Sequence, residues 1–325
     1  MTSTRLAVLS AALAAFVAAG CSAVADGPAD RRAAAAEAAY PPTGRFLEVE
    51  GLRIHAHIEG QPAGTAQDVI LIHGASGSTR DFTQGLSARL GREFRVIAFD
   101  RPGLGWSQDA GAAGLTPEGQ ARILAAAARS LGVRRPVVVG HSYGAAVALA
   151  WALEAPQETG AVVVLSGATM PWPGGLGLWY ALTASRFGQS TVLPFAAAYA
   201  PDGAVTRTVA AIFAPDPVPD GYVDAVGAGL TLRQQTLAAN ARQVNALRPS
   251  LVAMSARYGT LDLPVEVVHG TKDRIVPAEI HAEPLAQILP NARLSLLDGA
   301  GHMPHHTRQE DVVEAIRRAA QAARR

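Results

Sequence analysis

The chain has 325 residues, 49% of them hydrophobic, and its formal net charge at pH 7 is +1. A charge so close to zero argues against a polyanionic partner such as nucleic acid. Lys272 is the only lysine, which argues against Schiff-base chemistry, and Cys21 is the only cysteine, which excludes a disulfide within the chain. The length fits one large domain, or one domain with an insertion.

The N-terminus has the pattern of an export signal. Arg5 precedes an apolar run, Leu6 to Ala19, of signal-peptide length. This run is shorter than the roughly 20 residues that span a bilayer. It ends in Ala18-Ala19-Gly20-Cys21, which resembles the bacterial lipobox, whose cysteine is lipidated and becomes the mature N-terminus. We therefore expect a signal peptide over residues 1–21 and a lipid anchor at Cys21.

The sequence also contains an alternative signal-cleavage site. Ala23-Val24-Ala25 before Asp26 has the A-x-A pattern of ordinary signal cleavage, which would yield a soluble secreted or periplasmic protein. Both alternatives predict an exported chain. Residues 22–44 are rich in Ala, Pro and small polar groups without an apolar period, and they predict a flexible tether.

From residue 45 onward, strand and helix patterns alternate. The predicted strands are Phe46–Glu50, Arg53–Glu59, Asp68–His73, Phe94–Asp100, Pro136–Val139, Ala161–Leu165, Val265–His269 and Arg293–Leu297. The predicted helices are Thr116–Leu131, with Thr116 as its N-cap, then Ala145–Leu153, Ala278–Leu289 and Asp311–Ala323. This alternation predicts a mostly parallel, twisted sheet with helices on both faces, and a site at the carboxyl ends of its strands.

The most informative segment is Gly140-His141-Ser142-Tyr143-Gly144, which joins an apolar strand directly to an Ala-rich helix. A serine on such a tight turn has a strained backbone and an exposed hydroxyl. The backbone N–H of Tyr143 lies at the helix N-terminus, where negative charge is favoured. The segment therefore predicts a nucleophile, Ser142, and one donor of an oxyanion hole.

Four motifs occur in an order that resembles the α/β-hydrolases, in particular serine hydrolases related to epoxide hydrolases and cofactor-free haloperoxidases. They are His73-Gly74-Ala75-Ser76-Gly77, Asp100-Arg101-Pro102-Gly103-Leu104-Gly105-Trp106-Ser107, the Ser142 segment, and the late pair Gly270-Thr271-Lys272-Asp273 and Gly299-Ala300-Gly301-His302. The resemblance covers about residues 45 to 320.

The resemblance implies a catalytic triad of Ser142, Asp273 and His302, in the chain order that this fold uses. His302 would be the base and Asp273 the acid that orients it, with Asp298 as a rival acid. Ala75 would give the second oxyanion N–H. His73 and the motif beginning at Asp100 would shape the surrounding loops.

His302, His305 and His306 form a His-x-x-His-His pattern that could suggest a metal. No matching carboxylate or cysteine set and no His-Glu-x-x-His accompanies it, so we expect no metal. Neither a Gly-x-Gly-x-x-Gly fingerprint nor a P-loop occurs, and we expect no cofactor.

Residues 170–260 depart from the alternation and contain many aromatic residues and prolines. In the family that the chain resembles, such an insertion is a helical cap over the active site. The core would then comprise residues 45–169 and 261–325. Aromatic side chains in the cap fit an apolar acyl or aryl group, although they could equally form the cap's own core.

Together these features predict an exported, lipid-anchored serine hydrolase that cleaves small apolar carboxylic esters. Because the nucleophile is Ser and not Asp, epoxide hydrolase and dehalogenase chemistry are disfavoured. A C–C bond hydrolase, a lactonase, an amidase or a cofactor-free perhydrolase would use the same triad. A non-catalytic ligand receptor on this fold is the alternative from another class, and it would have no need of an acid and a base.

Overall fold

The computed structural model describes residues 27–175, 182–185 and 187–324. The predicted signal peptide, the candidate lipidation site Cys21 and the competing cleavage site before Asp26 lie outside the described residues. None of the described helices is both long and apolar enough to cross a membrane.

Within the described residues, eight strands form one sheet in the order β1-β2-β4-β3-β5-β6-β7-β8. The strand β2 pairs antiparallel with β1 and β4, and all other neighbours are parallel. The strands are β1 Arg45–Val49, β2 Leu52–Gly60, β3 Asp68–Ile72, β4 Arg95–Phe99, β5 Val137–His141, β6 Ala161–Leu165, β7 Val265–Gly270 and β8 Ala292–Leu297.

Within the described residues, α-helices lie before β1, on both faces of this sheet and in the long connection between β6 and β7. They are Pro28–Ala39, Arg80–Thr83, Leu86–Leu90, Pro117–Ser130, Tyr143–Glu154, Leu193–Tyr199, Asp202–Phe213, Tyr222–Ala225, Ala228–Thr231, Gln234–Ser255, Ala278–Ile288, Pro304–Thr307 and Gln309–Ala323. As predicted, the Thr116 side chain caps the helix that begins at Pro117, by accepting a hydrogen bond from the Gly119 amide.

The central strands are buried along their whole length, because helices cover both faces. In β3, Ile70 and Ile72 pack in one core with the helix Tyr143–Glu154, whereas Val69 and Leu71 pack in another with the helix Gln309–Ala323. Successive strand residues point to opposite faces, so one apolar run supplies both cores. The predicted architecture, a mostly parallel sheet between two helical layers, is confirmed.

The prediction of a flexible tether over residues 22–44 is wrong for residues 28–39, which form a helix. Pro28 stands in its first turn, where a missing N–H costs nothing, and alanine has the highest helix propensity. Tertiary contacts hold this N-terminal helix: Ala36 is buried, and Glu37 pairs with Arg233 at 2.8 Å. Ala36 is the one buried residue of this helix, so its sequence shows no apolar period.

Between β6 and β7, the helix Gln234–Ser255 reaches the loops at the carboxyl ends of the strands. Asn240 Oδ1 accepts a hydrogen bond from the Ser76 amide at 2.8 Å, and Gln243 Oε1 accepts one from Arg101 at 2.8 Å. These contacts link the predicted cap segment to the loops after β3 and β4. The exact division into core and cap stays a prediction.

Candidate active site

The turn at Ser142 has the strained geometry that the sequence predicts. Ser142 follows β5 with φ 52° and ψ −116°, and the helix begins at the next residue, Tyr143. A Cβ at Gly140 would lie 2.2 Å from the Gly144 carbonyl oxygen, and one at Gly144 would lie 2.1 Å from the Ile72 carbonyl oxygen. Strand and helix therefore approach so closely that only glycine fits on either side of the serine.

The two predicted oxyanion donors come from segments that meet at Ser142. Tyr143 occupies the first turn of its helix, where backbone N–H groups have no acceptor within the helix. The loop after β3 lies against the serine, since a Cβ at Gly74 would be 3.1 Å from the Ser142 Cβ. Ala75, the next residue of that loop, is only partly buried. The loop and the helix start are thus available to bind a negative oxygen near Ser142.

His302 and Asp273 are in direct contact. His302 Nδ1 donates to Asp273 Oδ2 at 2.7 Å, and both side chains are buried. The other carboxylate oxygen accepts the amides of Ile275 and Val276 at 2.9 Å. Burial opposes ionisation of Asp273, but hydrogen bonds from His269, His302 and the Val276 amide outweigh it and hold the pKa of Asp273 well below its usual range. The carboxylate is therefore ionised throughout the neutral pH range.

Of the two candidate acids, the structure brings Asp273 and not Asp298 against His302. Asp298 is exposed and accepts a hydrogen bond from the Thr271 hydroxyl at 3.3 Å, in the turn after β8. Because a carboxylate can only accept, the proton of neutral His302 resides on Nδ1 and its Nε2 has a free lone pair. That is the tautomer a general base requires.

His141 ties the strand that carries the serine to the loop that carries His302. Its Nε2 lies 3.0 Å from the His302 carbonyl oxygen, so this nitrogen is the donor. Burial, and then the nearby imidazoles of His305 and His302, hold the pKa of His141 well below its usual value. A neutral imidazole beside Ser142 therefore positions the backbone of His302.

The alpha/beta hydrolase fold model matches residues 69–309, which is most of the chain. The chain belongs to the α/β-hydrolase family. It is therefore a hydrolase with a small-molecule substrate. The narrower resemblance to epoxide hydrolases and haloperoxidases stays a prediction.

The chain is similar to a curated relative and to solved structures. A 2-hydroxy-6-oxononadienedioate/2-hydroxy-6-oxononatrienedioate hydrolase of Cupriavidus pinatubonensis is 26% identical over 269 residues, 80% of this chain and 89% of the relative. The enol-lactonase of Burkholderia xenovorans LB400 superimposes with a TM-score of 0.69 at 20% identity, over 85% of this chain and 100% of its own. A thermophilic esterase of Thermogutta terrifontis superimposes with a TM-score of 0.65 at 20% identity, over 86% of this chain and 99% of its own. Both structural likenesses show the fold alone.

The loops around the hydrolase site are held by buried polar groups. His73 donates from Nδ1 to the Gly74 carbonyl and accepts the Arg101 amide at Nε2, both at 2.9 Å. Burial, with the nearby Arg101 cation, lowers the pKa of His73 to about 4, so the imidazole is neutral. Asp100 accepts hydrogen bonds from His55 and from the Thr79 amide. These contacts agree with the supporting role predicted for His73 and the Asp100 motif.

Sequence reasoning missed Asp81, which contacts both histidines that follow His302 in the hydrolase. Asp81, His305 and His306 bring three possible ligand atoms within 4.8 Å of one another, so these described residues could hold a cation. The His-x-x-His-His pattern pointed to this cluster, but no local signal marked Asp81. The expectations of no metal and no cofactor stay predictions.

Proposed function

We propose that the protein is a serine hydrolase that cleaves carboxylic esters through Ser142, His302 and Asp273 by way of an acyl-enzyme. The observation that carries this proposal is the 2.7 Å contact between His302 Nδ1 and Asp273 Oδ2, in a loop tied to the strained serine turn. A serine hydroxyl needs such a base, because its own pKa is far too high for attack at neutral pH.

The proposed reaction has two stages. The Ser142 oxygen attacks the ester carbonyl while its proton passes to His302 Nε2, and Asp273 stabilises the resulting imidazolium. The N–H groups of Ala75 and Tyr143 would bind the oxyanion, and each such donor typically contributes about 3 kcal/mol to barrier lowering. The alcohol leaves with the proton from His302. Water, deprotonated by the same nitrogen, then releases the acid and restores Ser142.

The dioate relative makes a C–C bond hydrolase the second candidate. Arg101, however, favours an uncharged substrate. This buried cation lies beside the site, with its guanidinium 4.2 Å from the Tyr143 ring centre. Its side-chain donors already serve the backbone carbonyls of His73 and Gly74 and the side chains of Gln120 and Gln243. Arg101 would have to break these contacts to bind a substrate carboxylate, so we favour a neutral ester.

A substrate panel tests the proposed ester specificity. We expect p-nitrophenyl esters to give a higher kcat/KM than lactones, anilides or vinylogous diketones, with no turnover of any class by Ser142→Ala. Highest activity on the diketones, also lost in Ser142→Ala, would assign the C–C bond reaction to the same triad. Ester turnover retained by Ser142→Ala would contradict the proposed mechanism itself.

We also propose that the hydrolase is exported and lipid-anchored through Cys21. Support comes from the lipobox-like sequence and from its position, a few residues before the N-terminal helix that begins at Pro28. Lipidation at the cysteine would attach more than one acyl chain, and firm membrane binding requires more than one.

Changing Cys21→Ser should therefore move the protein from the membrane fraction to the soluble exported fraction, or leave the signal uncleaved, with turnover per molecule unchanged. Mass spectrometry of the mature N-terminus is the direct measurement. A lipid-modified Cys21 at the N-terminus is expected. A chain that begins at Asp26 without lipid would show that Ala23-Val24-Ala25 is the cleavage signal and would contradict the anchor.

A further inference from the structure

Asp81 is a buried carboxylate outside the proposed triad, in the short helix Arg80–Thr83 that follows the loop after β3. Its Oδ1 accepts hydrogen bonds from the Tyr222 hydroxyl at 2.7 Å and from His306 Nε2 at 3.0 Å. Its Oδ2 accepts one from His305 Nε2 at 3.1 Å. One side chain therefore holds three partners, one from the cap segment and two from the short helix Pro304–Thr307 that follows His302.

The partners of Asp81 are close to the catalytic base in sequence and in space. His305 and His306 come three and four residues after His302. The His141 ring is 4.9 Å from the His302 ring and 4.3 Å from the His305 ring, between ring centres. His141 also donates to the His302 carbonyl, as described above. A continuous array of imidazoles thus connects the serine strand, the base and the two histidines on Asp81.

Asp81 is held in its charged form. Burial disfavours the charged form, but the contacts with His305 and His306 outweigh it and hold the pKa of Asp81 well below its usual range. A buried ionised carboxylate is stable only when donors surround it, so moving any one donor is costly. The loop after β8 is therefore held in one arrangement, and His302 with it.

We propose that Asp81 is a positioning residue for His302: by holding His305 and His306 it fixes the loop that carries the base. This inference rests on the proposed function, since it assumes that His302 is the base for Ser142. Asp81 itself does not reach the substrate in this scheme. It acts on the rate by setting the distance between the base and the serine.

The same three side chains could instead bind a metal, which is a separate explanation. The distances of 3.0 and 3.1 Å are those of N–H···O hydrogen bonds, with a proton on each Nε2. A zinc ion would need those nitrogens deprotonated and about 2.0–2.1 Å from the metal. The Tyr222 hydroxyl, a further donor to the same carboxylate, also fits a hydrogen-bonded anion.

The test is Asp81→Asn, which keeps the shape but removes the charge and sets an amide N–H against a histidine N–H. Small misplacements of a catalytic group can cost up to about a hundredfold in rate. We expect kcat on a p-nitrophenyl ester to fall at least about tenfold with KM within about twofold of wild type. Labelling of Ser142 by a fluorophosphonate should slow in parallel, and the downfield NMR signal of the His302 Nδ1 proton should shift or broaden.

Asp68→Asn is the matched control. Like Asp81, Asp68 is a buried carboxylate. It stands at the start of β3, away from Ser142, and pairs with Arg95 at 3.3 Å. This variant should lower Tm and leave kcat, labelling and the proton signal unchanged. Tyr222→Phe removes a single hydrogen bond from Asp81 and should fold even if Asp81→Asn does not. Tyr222→Phe should lower kcat several-fold and leave KM close to that of wild type.

The outcomes separate this inference from the proposed function. Wild-type kcat in both Asp81→Asn and Tyr222→Phe, while Ser142→Ala is inactive, would overturn the role of Asp81 and leave the serine mechanism intact. Ester turnover by Ser142→Ala would overturn the proposed function first. A stoichiometric metal that survives dialysis of the wild-type protein and is absent from Asp81→Asn would also overturn the inference and assign a metal site.

Discussion

Ser142→Ala and His302→Ala should each remove nearly all ester turnover, with kcat falling by a factor on the order of 10⁴ or more. Either change deletes a partner in the same proton transfer, so the double variant should be little worse than one single variant. Asp273→Asn should cost less than either, because it disturbs the orientation and charge of His302 and leaves the nucleophile and base present. Steady-state kinetics on one p-nitrophenyl ester give all four values.

Asp298→Asn is the control for the acid. It changes a carboxylate only four residues before His302, but this side chain is exposed and contacts Thr271. Its kcat should remain within about twofold of wild type, since exposed substitutions rarely perturb their surroundings. A loss as large as that of Asp273→Asn would mean that the two acids have been assigned the wrong way round.

Gly144→Ala should cause a large loss of stability. The new Cβ would lie 2.1 Å from the Ile72 carbonyl oxygen and 2.7 Å from that of His73, both of them backbone atoms. Either the helix or β3 must shift, and overpacking of this kind costs about 3 kcal/mol of the free energy of unfolding. Urea unfolding measures this change in the free energy of unfolding.

Gly175→Ala is the matched control for that prediction. Apart from its chain neighbours, no atom of the described residues lies within 4 Å of the position a Cβ would take there, and the residue has no positive φ. Its free energy of unfolding should stay within about 0.5 kcal/mol of wild type. If Gly144→Ala unfolds at the same urea concentration as Gly175→Ala, the close approach of strand and helix at the serine turn is wrong.

The sheet was predictable because its central strands are covered on both faces. Such strands read as nearly continuous apolar runs, as in Val137-Val138-Val139 of β5 and Ala161–Leu165. The serine turn was predictable for a local reason, since glycines flank it where strand and helix touch. The acid and base came from family resemblance, and their contact is a property of the folded chain.

The parts that sequence did not predict depend on distant contacts. Residues 28–39 read as a tether, because nothing local shows that Ala36 is buried or that Glu37 meets Arg233, 196 residues away. Asp81 looks like an ordinary surface aspartate until His305 and His306, more than 220 residues later, fold against it. Polar networks of this kind carry no periodic pattern, so only the structure reveals them.

The most direct test of the serine mechanism is the intact mass of the protein after treatment with a fluorophosphonate, followed by peptide mapping. One adduct per chain on Ser142 is expected, with ester turnover lost in proportion to the modified fraction and labelling much slower in His302→Ala. A protein that acquires no adduct, or carries it on another residue while ester turnover persists, would contradict the assignment of Ser142 as the nucleophile.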